Sequence, residues 1–163
     1  MGSKWSLVAG TLVVGCSMSG PPPRTQAAVV EARCGDDPGV VDARVVGPQN
    51  VDRVEPLYAS VNTRPNGMES RLIGAKLHIR MIDGVMPESV GQALVCHQAR
   101  ETLRPSADDA CPYAVPGAWV DIQVKPDAMG YEVALRGQDF VEAKQILDRA
   151  RAFAESSAAQ SMR

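Results

Sequence analysis

Apolar and polar side chains alternate along residues 73–81. Ile73, Ala75, Leu77, Ile79 and Met81 are separated by Gly74, Lys76, His78 and Arg80. A period of two predicts a β-strand that buries one face. The same period recurs over residues 118–125 and 131–136, which are joined by the turn-forming stretch PDAMG. These two segments therefore predict a β-hairpin.

Two helices are predicted around these strands. Pro87 suits the first turn of a helix that continues through ESVGQALVCHQARETL and stops before Pro105. Asp139 and Glu142 have the spacing of a capping box at the start of the second helix. Apolar residues then share one face of that helix: Ala143, Ile146, Leu147, Ala150, Phe153 and Ala154.

The resulting element order, β-α-β-β-α, predicts an α+β fold. A strand, a helix, a hairpin and a second helix pack naturally as a two-layer sandwich, with both helices on one face of a small sheet. We assign this domain to residues 70–155 and a flexible tail to 156–163. The pattern over residues 40–69 is compatible with strand or helix and stays unassigned.

The N-terminal residues combine a positive charge, a short apolar run and a cysteine. Lys4 precedes an apolar run of about 11 residues, which has the length of a signal-peptide core and is too short to span a bilayer. The run ends in Val13-Val14-Gly15-Cys16, which resembles the lipobox of bacterial lipoproteins. The resemblance implies a signal peptide over residues 1–15 and a diacylglycerol on the thiol of Cys16.

The same resemblance implies a location. Ser17 follows the cysteine, and in lipoproteins a residue other than Asp at this position favours the outer membrane, at its periplasmic face or at the cell surface. Residues 16–39 then read as the lipidated cysteine and a tether rich in Pro, Ser and Gly. Three consecutive prolines favour an extended polyproline spacer.

Composition narrows the range of partners. The net charge is −2 and the basic residues are dispersed, which does not fit the concentrated basic patch of a nucleic-acid-binding protein. The expected partners are the membrane, through the N-terminal lipid, and an envelope protein or cell-wall component. No cofactor is expected.

Three cysteines remain once Cys16 is assigned to lipidation. An exported protein reaches a compartment where disulfides persist. Cys96 and Cys111 lie 15 positions apart with a polar, turn-forming segment between them, and we predict that they form a disulfide. Cys34 would then be a free thiol or would pair between chains.

A metal site is the alternative use of these residues. Thiolates and imidazoles suit Cu(I) or Zn, and the fold would have to bring together Cys96, His97, Cys111 and His78. The spacing matches no established zinc motif. His97 is otherwise a packed side chain of the helix, and His78 is otherwise part of a solvated strand face.

Three motifs of redox exchange, c-type haem attachment and serine hydrolysis are missing from the sequence. There is no C-x-x-C, no C-x-x-C-H and no G-x-S-x-G. Residues 74–153 resemble uncharacterised secreted bacterial α/β domains that carry a Cys-His pair in the first helix and Cys-Pro before the hairpin, a resemblance that supports the fold and the location.

We therefore expect a lipid-anchored, non-catalytic binding or assembly module. Its expected contact surface comprises Lys76, His78, Arg80 and Trp119. A thiol- or metal-handling periplasmic protein is the alternative.

Overall fold

The computed structural model describes residues 20–35, 44–63, 67–105 and 111–161, with side chains as far as residue 156. The predicted signal peptide and Cys16 lie outside these residues. A short 3₁₀ turn, Pro48–Asn50, leads into the sheet. The regular elements are α1 (Pro23–Glu31), β1 (Val51–Thr63), β2 (Gly67–Arg80), α2 (Pro87–Leu103), β3 (Asp121–Asp127), β4 (Gly130–Arg136) and α3 (Phe140–Ser161).

The predicted α+β sandwich is confirmed. Within the described chain, the strands form an antiparallel sheet in the order β1-β2-β4-β3. Helices α2 and α3 pack on one face of this sheet. The buried sheet side chains Leu77, Ile79 and Val133 meet Leu94 of α2 and Ile146 of α3 in one core cluster. The opposite face of the sheet carries polar side chains.

The second predicted helix begins as expected. The carboxylate of Asp139 accepts a hydrogen bond from the Glu142 N–H at 2.9 Å, and the Glu142 carboxylate accepts one from the Gln138 N–H at 2.7 Å. Ala143 and Phe153 are buried, as the apolar face predicts. The helix continues to Ser161, so the segment assigned as a tail is helical for most of its length.

The sheet begins much earlier than residue 70. β1 and β2 form a long hairpin of 13 and 14 residues, whereas β3 and β4 have seven residues each. A register shift between Leu57 and Tyr58 leaves Ile73 without a partner in β1. This bulge changes the phase of the alternation, so that Leu72 packs against the core beyond it.

The prediction of an extended spacer is wrong for residues 23–31, which form α1. Pro23 stands in the first turn, where the missing N–H costs no helical hydrogen bond. Ala27 is fully buried, and α1 packs against α2. Arg104 at the end of α2 donates a hydrogen bond to Glu31 at 2.6 Å.

The predicted cysteine pairing is also wrong. Cys34 forms the disulfide with Cys96, at a Cα–Cα distance of 5.8 Å, and Cys111 is buried outside it. Cys34 is therefore neither a free thiol nor a link between chains. The packing of α1 on α2 brings these two cysteines together across 62 positions of sequence.

In the described part of the chain, none of the helices combines the length and the apolarity needed to span a membrane.

Candidate functional site

The open face of the sheet carries a row of charged side chains on β2. Lys76, His78 and Arg80 alternate with the buried residues Ala75, Leu77 and Ile79, so the row points away from the helices. This is the orientation that the period-two pattern predicts. His78 is the least exposed of the three, with 14 % of its side chain accessible.

His78 stands at the centre of a cluster drawn from three strands. Its Nδ1 lies 3.0 Å from Oδ2 of Asp127, and its Nε2 lies 3.2 Å from Nη2 of Arg53. Glu55 Oε2 is 3.7 Å from the same Nε2. A guanidinium can only donate, so a neutral imidazole accepts from Arg53 at Nε2 and donates to Asp127 from Nδ1.

Strand pairing explains how these residues meet. Arg53 on β1 lies directly opposite His78 on β2. Asp127 on β3 lies two strands away from β2, opposite Gly130 of β4. Gly130 has no side chain, which leaves room for the Asp127 carboxylate to reach across β4 to His78. A Cβ at Gly130, whose φ is +156°, would meet the backbone of β2.

The hydrogen bond from His78 lowers the pKa of Asp127, and the backbone N–H of Ala128 lowers it further. That N–H donates to Asp127 Oδ1 at 2.7 Å. Donors aimed at the carboxylate favour its ionised form. Asp127 is therefore held as an anion at neutral pH, and the imidazole of His78 is oriented by it.

Each basic side chain of the β2 row has an acidic neighbour. Lys76 Nζ lies 3.0 Å from Glu132, and Arg80 Nε lies 3.6 Å from Asp52. Arg53 Nε lies 2.9 Å from Glu55. The face therefore presents charges of both signs in an ordered pattern, which differs from a uniformly basic, anion-binding strip.

A cleft of about 230 Å³ opens beside His78. Its rim includes the charged groups of Arg53, Arg80, Asp52 and Asp127, and its apolar lining includes Met129. Met129 is the most exposed large apolar side chain in the described structure, at 83 %. The cleft thus offers apolar contacts, from Met129 and Ile79, within a ring of oriented charges.

A second cluster lies on the helical side of the sheet. Nε2 of His97, on α2, is 3.2 Å from Sγ of Cys111. The ring of Tyr113 meets the ring of His97 edge-on at 6.1 Å and the ring of Phe153 at 5.8 Å. Arg149 of α3 donates to the backbone oxygen of Cys111 at 3.3 Å, which secures the segment that carries the thiol.

Tyr113 is completely buried in this cluster. Burial raises its pKa, and the neighbouring Cys111 raises it further. Its hydroxyl has no hydrogen-bond partner within the described chain. Tyr113 is therefore a neutral, packed aromatic group that seals one side of the His97–Cys111 pair.

The structure separates the four residues of the alternative metal site. His97 and Cys111 are in contact, but Cys96 is occupied by its disulfide with Cys34, and His78 lies on the open sheet face. Among the described residues, no group of three or more His, Cys, Asp or Glu side chains is arranged to hold a metal ion.

Trp119 lies just before β3, which begins at Asp121 and not at Ala118 as predicted. The ring is partly buried, between the buried residues Ala118 and Val120. Val120 also accepts a hydrogen bond at 3.1 Å from the buried side chain of Gln98 in α2.

The partners of His78 could not be found from the sequence. Arg53 and Glu55 belong to the segment left unassigned, and Asp127 stands in the predicted PDAMG turn. One signal was available: residues 53 and 55 share the period-two spacing of a strand face.

The comparisons of this chain with protein-family models, with curated proteins and with solved structures gave no match.

Proposed function

We propose that this protein is a lipid-anchored component of the bacterial cell envelope that presents its α+β domain as a non-catalytic binding module. The anchor is Cys16 within Val13-Val14-Gly15-Cys16. Ser17 favours the outer membrane as its location. The Cys34–Cys96 disulfide supports an oxidising compartment.

The main support for a binding role is the difference between the two faces of the sheet. Helices cover one face, and the other face presents the ordered charges around His78 with a cleft in their midst. Charges of both signs, held in place by one another, select a partner through its complementary pattern. A protein of the envelope satisfies that requirement better than a lipid headgroup layer or a polyanion of single sign.

The neighbours of His78 support a binding role for the open face. His78 contacts Asp127, Arg53 and Glu55, three charged groups that fix the orientation of its imidazole. A histidine held between an acid and a guanidinium orients hydrogen bonds, and it is the kind of group that fixes the register of a bound partner.

The anchor is tested by cell fractionation. The Cys16→Ser chain should leave the membrane fraction and appear as a folded, soluble protein. The matched control is Cys111→Ser, which makes the same replacement outside the lipobox and should stay with the membranes. Retention of the Cys16→Ser chain in membranes washed with high salt would show that lipidation is not the anchor.

The binding face is tested by site-specific photocross-linking in cells. A photoreactive amino acid at Arg80, on the open face, should give one discrete adduct with an envelope protein. The same amino acid at Arg151, an exposed position on α3, serves as the control. Equal adducts from both positions, or an adduct from position 151 alone, would refute the open face as the binding surface.

A second candidate function is thiol chemistry, which one observation favours: the 3.2 Å contact between His97 and Cys111. An imidazole at this distance can accept the thiol proton and leave a nucleophilic thiolate. Cys111 is only 7 % exposed, so such chemistry would be restricted to small electrophiles.

This candidate is tested by alkylation of the folded protein with iodoacetamide, followed by mass measurement of the tryptic peptide 101–136, which contains Cys111. His97→Asn should slow the reaction by about tenfold at neutral pH if the imidazole activates the thiol. His78→Asn is the control and should leave the rate unchanged. Equal rates in the wild type and in His97→Asn would remove this function from consideration.

A further inference from the structure

The β1–β2 hairpin extends beyond the rest of the sheet. β4 pairs with β2 only from Gly74 to Arg80. Just beyond that pairing, the Gly137 N–H donates a backbone hydrogen bond to Ile73 O at 3.0 Å. Residues 68–72 of β2 are paired with β1 on one side, and within the described chain no strand pairs with their other side.

A proline interrupts each of the two outer strands of the sheet, whereas this part of β2 contains none. β1 carries Pro56 and β3 carries Pro126, and both strands lie at the outside of the sheet. Proline cannot donate to a further strand, and it commonly guards edge strands. Residues 68–72 contain no proline, and all but Leu72 are exposed.

This unguarded segment reads Met-Glu-Ser-Arg-Leu, from Met68 to Leu72. An antiparallel copy aligned on Ser70 sets Glu69 against Arg71 of the second chain, and Arg71 against its Glu69. On the other face of the strand, Met68 meets Leu72 in both directions. Opposite charges and apolar side chains directly across an antiparallel pair stabilise it. The segment is therefore complementary to itself.

Exposed apolar groups surround the same segment. A groove of about 520 Å³ runs beside Glu69, Ser70 and Arg71, lined by Leu72 and by Phe140 at the start of α3. Met68 is 67 % exposed and Phe140 is 51 % exposed. Glu69 and Arg71 make no ion pair within the described chain, so both charges are available to a partner strand.

We propose that residues 68–72 of β2 form a symmetric interface with the same residues of a second copy of this chain. The two strands pair antiparallel about Ser70, and they extend the sheet across two molecules. Pairing stops before Ile73, where β4 and Gly137 occupy the edge. Because the interface is short, the dimer is weak, and anchoring of both copies in one membrane would favour it.

Charge reversal tests the interface, with sedimentation equilibrium of the full chain as the measurement. Glu69→Arg or Arg71→Glu replaces both attractive pairs by like-charged ones and should weaken dimerisation by about tenfold. The double variant Glu69→Arg/Arg71→Glu is complementary to itself again and should dimerise as the wild type does. An equimolar mixture of the two single variants should form the heterodimer.

A cross-link tests the register. Ser70→Cys lies on the proposed two-fold axis and should give a homodimer with a short bismaleimide, above the background of the unsubstituted chain. Ser60→Cys, paired with residue 70 on β1, is the control and should not. A chain that sediments as a monomer at every concentration would overturn the proposal, as would dimerisation that the single reversals leave unchanged, or a Ser70→Cys adduct with another protein.

Discussion

A disulfide joins Cys34, just past the end of α1, to Cys96 in the middle of α2. Glu31 and Arg104 form an ion pair between the same two helices at 2.6 Å. The disulfide and the ion pair therefore hold α1 against the outside of the sandwich. A short helix whose apolar side chains are all small, Ala27, Ala28, Val29 and Val30, is in this way made part of the domain.

The disulfide can be mapped directly. Trypsin separates the three cysteines into the peptides 34–44, 81–100 and 101–136, because Arg104 and Lys125 are each followed by proline and are not cut. We expect mass spectrometry without reduction to show 34–44 linked to 81–100, and 101–136 alkylated after denaturation. A linked pair of 81–100 and 101–136 would contradict the structure.

The disulfide should contribute strongly to stability. It spans 62 positions, and closing a loop of that size in the unfolded chain is worth about 4 kcal/mol on the chain-entropy model. Cys34→Ala should therefore lower the free energy of unfolding by about 4 kcal/mol in urea denaturation. Addition of a reductant should produce the same loss in the wild type and no further loss in the variant.

The pKa of Asp127 should depend on His78. Its pKa is lowered chiefly by the His78 hydrogen bond, so His78→Leu should raise it towards the ordinary value of about 3.9. Carboxyl ¹³C NMR measures this titration. Lys76→Leu is the matched control, because Lys76 contacts Glu132 on the same face, and it should leave the Asp127 titration where it was.

The sign of the pH effect follows from the lowered pKa. The His78–Asp127 interaction favours the folded state above the unfolded pKa of the carboxyl and loses its effect as the pH falls through the lower, folded value. Stability should therefore decrease on acidification in the wild type more than in His78→Leu. Asp127 is exposed, so the difference should be small.

Two glycine replacements should have opposite effects. Gly74 has a φ of +155°, and a Cβ there would lie within van der Waals overlap of the Leu135 carbonyl of β4. Gly74→Ala should destabilise the fold by about 2 kcal/mol or more. Gly91 lies inside α2 with ordinary space around it, so Gly91→Ala should stabilise by about 0.5–1 kcal/mol. Thermal unfolding of both variants tests the contrast.

The two buried tyrosines should also respond in opposite directions. Tyr131 donates to the backbone oxygen of Val85 at 2.7 Å, so Tyr131→Phe should cost about 1 kcal/mol. The Tyr113 hydroxyl is buried without a partner in the described chain, so Tyr113→Phe should be neutral or stabilising by up to about 1 kcal/mol. Equal losses in both variants would show that Tyr113 has a hydrogen-bond partner.

Sequence patterns alone determined the core of the fold. Three features of the core depend only on neighbours within a few residues: the alternation through Leu77 and Ile79, the helix begun by Pro87 and the capping box of Asp139. Burial of one strand face or one helix face is a local consequence of such spacing. The two-layer arrangement then follows, because those faces have to be covered.

Tertiary structure alone decided the cysteine pairing and the cluster around His78. Cys34 forms its disulfide with Cys96 because α1 packs on α2. Nothing in the spacing of the cysteines along the sequence indicates that contact. Asp127 reaches His78 because strand order places β4, with a glycine at the crossing point, between them. Both relationships join residues about 50 or more positions apart in the sequence. At such separations, strand pairing and helix packing set the distance between two side chains, and the local sequence pattern does not.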